Sequence, residues 1–173
     1  MKRLWIGGIA ALALAGCTAS EERVEAPAVP VGPAAELLDA SGQVKARASI
    51  TAAPDALRIH IEALGLAPGA YGTHIHTTGR CDPPDFASAG GHWNPSGAKH
   101  GKDNPQGPHN GDLPNLLVGA DGRGNFDYLI PGASLAALMD ADGASVMIHA
   151  AADDYRTDPS GNSGARIACG VLR

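Results

Sequence analysis

The sequence predicts an all-β fold: short strands packed as an antiparallel sandwich or barrel, interrupted by two long loops. Three observations predict it. Only 4% of the 173 residues are aromatic, while 23 are glycine and 13 are proline, which suits short strands and many turns better than a helix bundle. Two runs, "QVKARASI" (43–50) and "LRIHIEAL" (57–64), alternate polar and apolar residues, the period of a half-buried strand. Turn-forming pairs recur between such runs. The length suffices for one domain with a real core, and a net charge of −5 argues against a nucleic-acid partner.

In chain order, residues 1–16 read as an export signal. Lys2 and Arg3 precede an apolar run, Leu4 to Ala15, shorter than the ~20 residues that span a bilayer. It ends in Leu14-Ala15-Gly16-Cys17. Small residues there suit cleavage, and the cysteine resembles a bacterial lipobox, in which Cys17 becomes a lipid-modified N-terminus anchored to a membrane. The alternative is an ordinary secretory signal with an incidental cysteine. Residues 17–33 hold Cys17 and "TASEERVEAPAVPVGP", charged, proline-rich and without apolar period, a flexible tether. The domain then occupies 34–173.

Within the domain, Pro54-Asp55 makes a turn between the two alternating runs. In the second run Leu57, Ile59 and Ile61 share one face, and Arg58, His60 and Glu62 the other. Pro68-Gly69 is another turn, and a strand carries Gly72 to His76. "NLLVGADGRGNFDYLI" (115–130) is two runs around Asp121-Gly122, a hairpin signal. Ser134 can cap a short helix, "SLAALM". "SVMIHA" (145–150) and "ARIACGVL" (165–172) are final core strands. Residues 77–112, rich in Gly, Pro, Asn and His, and residues 151–165 break the rhythm. Loops this long in a small domain are usually functional or disordered.

The histidines give these loops their meaning. In a strand, residues i and i+2 point to one face, ~6.5–7 Å apart, so His74 and His76 can converge on one metal. His92, His100 and His109 lie in the first long loop with Asp112 three residues further on, and His149 lies in a late strand. Imidazole suits copper and zinc, and an added carboxylate suits zinc. His60, on its polar strand face, reads as a surface residue. Cys81 and Cys169 can form a disulfide in an exported chain; the alternative is two free buried thiols.

Five blocks in order, "GTHIHTTGRC", "GGHWNPSGAKHG", "HNGDLPNLLV", "MIHAAADD" and "GARIACGVL", resemble bacterial copper/zinc superoxide dismutases. The resemblance covers residues 34–173. It implies a Greek-key, immunoglobulin-like sandwich or barrel, and an oxidoreductase that turns two superoxide anions and two protons into oxygen and hydrogen peroxide. By the same resemblance His74, His76, His92 and His149 hold copper; His92, His100, His109 and Asp112 hold zinc; and His92 bridges the two. Asp153 links a copper-side and a zinc-side imidazole, Arg166 attracts and orients superoxide, and Cys81 pairs with Cys169. Lys99 and Lys102 either add to the positive field near His100 or are solvated charge. A periplasmic location follows, and bacterial members occur as monomers and homodimers. Three other readings compete with this one. A metal-delivery protein without turnover would be favoured by loss of Arg166 or a copper ligand. A zinc hydrolase needs an open zinc position and a general base. A structural sandwich leaves the clustered histidines unused.

Overall fold

Alternation along "LRIHIEAL" becomes a strand with one face sealed: Leu57, Ile59, Ile61 and Ala63 are fully buried. In the computed structural model, which describes residue 1 and residues 32–173, the strands are β1 (Ala34–Leu38), β2 (Val44–Ala53), β3 (Ala56–Leu64), β4 (Gly69–Tyr71), β5 (Thr73–His76), β6 (Leu116–Val118), β7 (Arg123–Pro131), β8 (Ser145–His149) and β9 (Arg166–Val171). The expectations for residues 2–31, including most of the signal and tether and Cys17, lie outside the described residues.

Seven strands form one antiparallel sheet in the order β5-β8-β9-β1-β2-β3-β7, and β4 pairs with β6 as a separate ribbon. After β3 the chain runs through β4 of the ribbon, β5 at the far edge of the large sheet and β6 of the ribbon, and returns as β7 beside β3. This gives the predicted all-β architecture as a curled sheet. Registers such as Ile50 opposite Ile59 and Leu57 opposite Ile130 put the apolar sets on the inner side, where Leu37, Leu116, Ile75, Val146 and Ile148 join them. Each such side chain contributes about 1.5–3 kcal/mol when buried.

Two local expectations are refined. The turn at Asp121-Gly122 forms, closed by Gly119 N–H to Arg123 O at 2.8 Å. The runs it joins, however, pair into different sheets, β6 with β4 and β7 with β3, so it is a corner between sheets. Ser134 caps α1 (Leu135–Leu138) as expected, its Oγ accepting from Ala137 N at 3.2 Å.

β5 positions the site. One edge pairs with β8. On the other, the long loop returns twice: Trp93 N–H donates to Ile75 O (2.8 Å) and Ile75 N–H to Gly111 O (2.9 Å). His92 thereby bridges to His76 and Asp112 to His74. The Cys81–Cys169 disulfide, 88 residues apart in sequence, fastens the same loop to β9.

Candidate metal centre

All four residues of β5 are buried, so its two histidines are kept from water along with Ile75 between them and Met147 and Ser145 opposite them. A buried imidazole nitrogen without a partner is costly, and here the donors can be traced. His74 Nε2 donates to Asp153 Oδ2 (2.8 Å), His76 Nδ1 to Gly90 O (2.9 Å) and His149 Nδ1 to Gly164 O (3.1 Å). These bonds fix each ring's tautomer and leave His74 Nδ1, His76 Nε2 and His149 Nε2 as bare lone pairs. Those three atoms are buried and have no hydrogen-bond partner among the described residues. Ligand-capable atoms of His74, His76, His92 and His149 lie within 4.8 Å of one another. Three aimed acceptors with no donor fit a soft or borderline cation.

The second cluster is built around one oxygen. Asp112 Oδ1 lies 2.9 Å from His92 Nδ1, 3.0 Å from His100 Nδ1 and 3.1 Å from His109 Nδ1. His92 Nδ1 and His109 Nδ1 are 3.3 Å apart. Zinc–nitrogen bonds of about 2.0–2.1 Å imply tetrahedral edges of ~3.3 Å, so these separations suit four ligands around one zinc. Asp112 Oδ2 is occupied by the N–H groups of Gly101 (2.8 Å) and His109 (3.0 Å), which turns Oδ1 toward the imidazoles. His74 atoms also come within 4.8 Å of His92, His100 and Asp112, but its Nε2 is engaged by Asp153 and its bare Nδ1 belongs with the first cluster.

His92 stands between the clusters. Its ring stacks on His74 at 3.8 Å between centroids, and with Nδ1 committed to the Asp112 side its Nε2 remains for the first cluster. Asp153 joins the clusters from behind, accepting from His74 with Oδ2 and meeting His100 Nε2 with Oδ1 at 3.0 Å. Its backbone is clamped by Asn115, which accepts from Asp153 N (2.8 Å) and donates to Asp153 O (3.0 Å). Gly161, at φ +63°, passes so close that a Cβ there would fall 1.8 Å from Asp153 Oδ1, a place only glycine fits.

Burial sets the protonation states. Desolvation lowers His74 to about 3 and His149 to about 4, and holds His76 well below the ordinary value of 6.5. His92 is lowered for the same reason. Desolvation also pushes His100 down, but Asp112 and Asp153 together outweigh it and raise that group to about 9. Asp112 and Asp153 resist the upward push of burial because the imidazoles bonded to them hold them well below the usual carboxylate range.

A cavity of ≈ 370 Å³ opens onto the first cluster, lined by His76, His92, His149, Ser160 and Arg166 among others. The Arg166 guanidinium is pinned by Nη1 to Phe86 O (2.7 Å) and Nη2 to Gly90 O (2.8 Å). Lys99 and Lys102 do not line it; they pair with Asp158 (3.1 Å) and Asp103 (3.0 Å). His60 lies outside both clusters, half-exposed, 3.3 Å from Asp127.

Asn115, Gly161 and Asp158 were missed in the sequence. Nothing in residue type or spacing marks a backbone clamp, and only the glycine's place in a polar loop offered a signal.

The chain is similar to known proteins over most of its length. The family "Copper/zinc superoxide dismutase (SODC)" matches residues 40–172. The chain is 43% identical over 145 residues to superoxide dismutase [Cu-Zn] 2 of Aquifex aeolicus, covering 80% of this chain and 85% of that protein. It is 52% identical over 124 residues to the superoxide dismutase-like protein YojM of Bacillus subtilis, covering 68% of this chain but only 63% of that relative. The crystal structure of a SOD-like protein from Bacillus subtilis superposes with a TM-score of 0.77 at 46% identity, covering 81% of this chain and 97% of that one.

Proposed function

The chain belongs to the copper/zinc superoxide dismutase family, and from that premise we propose that it dismutates superoxide at a copper held by His74, His76, His92 and His149, beside a zinc held by His92, His100, His109 and Asp112. One observation carries the reading: three buried, bare imidazole nitrogens face the same cluster that His92 shares with the carboxylate-centred one.

A copper held by these histidines would supply the one-electron redox chemistry that dismutation needs. The chain's own residues do the rest. Arg166 draws the anion in and orients it, since its fixed fork lies in the cavity that reaches the copper-side histidines. It acts against a net negative chain without help from Lys99 or Lys102, whose charges are paired with acids. His92 would hold a proton at Nε2 when that nitrogen is free of copper and pass it to product. Asp153 keeps the His74 and His100 rings aimed. The zinc set, three nitrogens and a carboxylate, leaves no open position for hydrolysis.

The same proposal places the domain outside the cytoplasm, in the bacterial periplasm, supported by the Cys81–Cys169 disulfide and the export-type residues 1–16. A lipid on Cys17 tying it to a membrane, and a homodimer, belong to it too; mass of the mature N-terminus and size in solution check them. A second reading, metal binding without turnover, is favoured by the name of the Bacillus relative, which is only dismutase-like. Loading the protein with copper and zinc and assaying superoxide consumption separates the two. Rapid, cyanide-sensitive dismutation is expected; no activity in a sample holding both metals would sink the proposal.

A further inference from the structure

We propose that Asp158 is a positioning residue for the zinc half of the centre, holding His100 by its main chain and tying that hold to the wall of the copper cavity. This rests on the reading of His100 as a zinc ligand.

Asp158 lies in the second long loop and reaches the first. Its Oδ1 accepts from His100 N–H at 2.9 Å and its Oδ2 from Lys99 Nζ at 3.1 Å. The His100 ring is already fixed at both nitrogens by Asp112 and Asp153. Asp158 adds the third point, on the backbone, so Asp153 and Asp158 of one loop grip His100 from two directions. The loops are in close contact here. Asp103 N–H donates to Tyr155 O at 3.0 Å and Asn104 Nδ2 to Arg156 O at 3.3 Å. Gly101, at φ +99°, has no room for a Cβ, which would fall 2.0 Å from Tyr155 O.

The residues immediately after Asp158 do something different. Pro159 and Ser160 line the cavity shared by His76, His92, His149 and Arg166. A segment whose first residue is bonded to the zinc-side loop therefore continues as the wall of the copper-side channel. The Lys99 contact is not what matters, since both partners are substantially exposed and such pairs contribute little. The acceptor on His100 N–H is the operative part. An asparagine keeps a carbonyl oxygen there and an alanine does not.

The test compares the copper- and zinc-loaded protein with its Asp158→Ala and Asp158→Asn variants. Zinc release to a chromophoric chelator is the first readout. Outer partners of metal ligands are commonly worth 10–100-fold in metal affinity, so Asp158→Ala should release zinc about 10-fold faster, with Asp158→Asn nearer the unmodified protein. Melting temperature with and without zinc is the second. The zinc-free forms should melt within about 2 °C of one another, as expected for an exposed substitution, while the gain on adding zinc shrinks in Asp158→Ala. Equal zinc release, or a loss of melting temperature as large without zinc as with it, would overturn the positioning role while leaving His100 as a ligand. If the unmodified protein retains no zinc, the ligand reading falls and this proposal with it.

Discussion

The two clusters, proposed above as the copper side and the zinc side, share His92 but are built by opposite means. Two of the copper-side residues sit on β5, and His149 closes β8 beside them; β5 and β8 are buried throughout. The sheet sets their spacing, and each ring has one nitrogen satisfied and one bare. The zinc-side residues all come from the loop of residues 77–112. They converge on one negatively charged oxygen, an arrangement that calls for a cation. The copper side is thus a neutral pocket held by strands. The zinc side is a charged knot, in which Asp112 and Asp153 raise the His100 imidazole toward its protonated form. A strand register can place two or three side chains reliably. Four ligands from one loop need the disulfide, Asp153 and the second loop to hold them.

The largest expected effect breaks the copper side alone. His149→Ala removes one bare nitrogen without touching Asp112 or its three imidazoles. Losing an outer partner of a metal ligand already costs 10–100-fold, so losing a ligand should reduce turnover by at least about 100-fold. Zinc content, measured on the same sample, should be unchanged. Loss of zinc along with activity would mean that the two halves do not form separately.

A smaller effect sharpens the contrast, because in the metal-free protein the histidines of the two halves respond to pH with opposite sign. His74 and His149, at about 3 and 4, resist protons that the unfolded chain accepts below 6.5. Their contribution is therefore present above 6.5 and lost as pH falls toward 3–4. His100, at about 9, binds a proton more tightly folded than unfolded. Its contribution is complete below 6.5 and lost as pH rises through 9. The denaturation midpoint of the metal-free protein should peak near pH 6.5 and decline on both sides. Zinc should remove the alkaline decline by replacing that proton, and leave the acid one. A metal-free midpoint that climbs steadily from pH 6.5 to 9 would contradict this.

The same division governs what could be read from the sequence. β3 was legible because Leu57, Ile59 and Ile61 alternate without interruption, and the pair His74–His76 was legible because i and i+2 share a strand face. The short ribbon strands β4 and β6, three residues each, carry no period of their own. They exist through pairing with each other, which is why residues 115–130 read as one hairpin and turned out to be a sheet corner. The loop histidines advertise a metal by residue type, but their convergence on one oxygen is tertiary. So are the Asn115 clamp and the contact of Asp158 with His100, each joining segments more than 35 residues apart in sequence. The role of Lys99 was open in the sequence for the same reason: its partner Asp158 is 59 residues away.

In the proposed centre one histidine joins two unlike metal sites, one set by strands and one by a loop. This arrangement is tested most directly by anomalous diffraction at the copper and zinc absorption edges on a crystal of the loaded protein. Two separate peaks are expected. Copper should be bound by His74 Nδ1, His76 Nε2 and His149 Nε2. Zinc should lie about 2.0–2.2 Å from the Nδ1 atoms of His92, His100 and His109 and from Asp112 Oδ1, with His92 between the two metals. Both edges peaking at one position, or zinc away from Asp112, would contradict it.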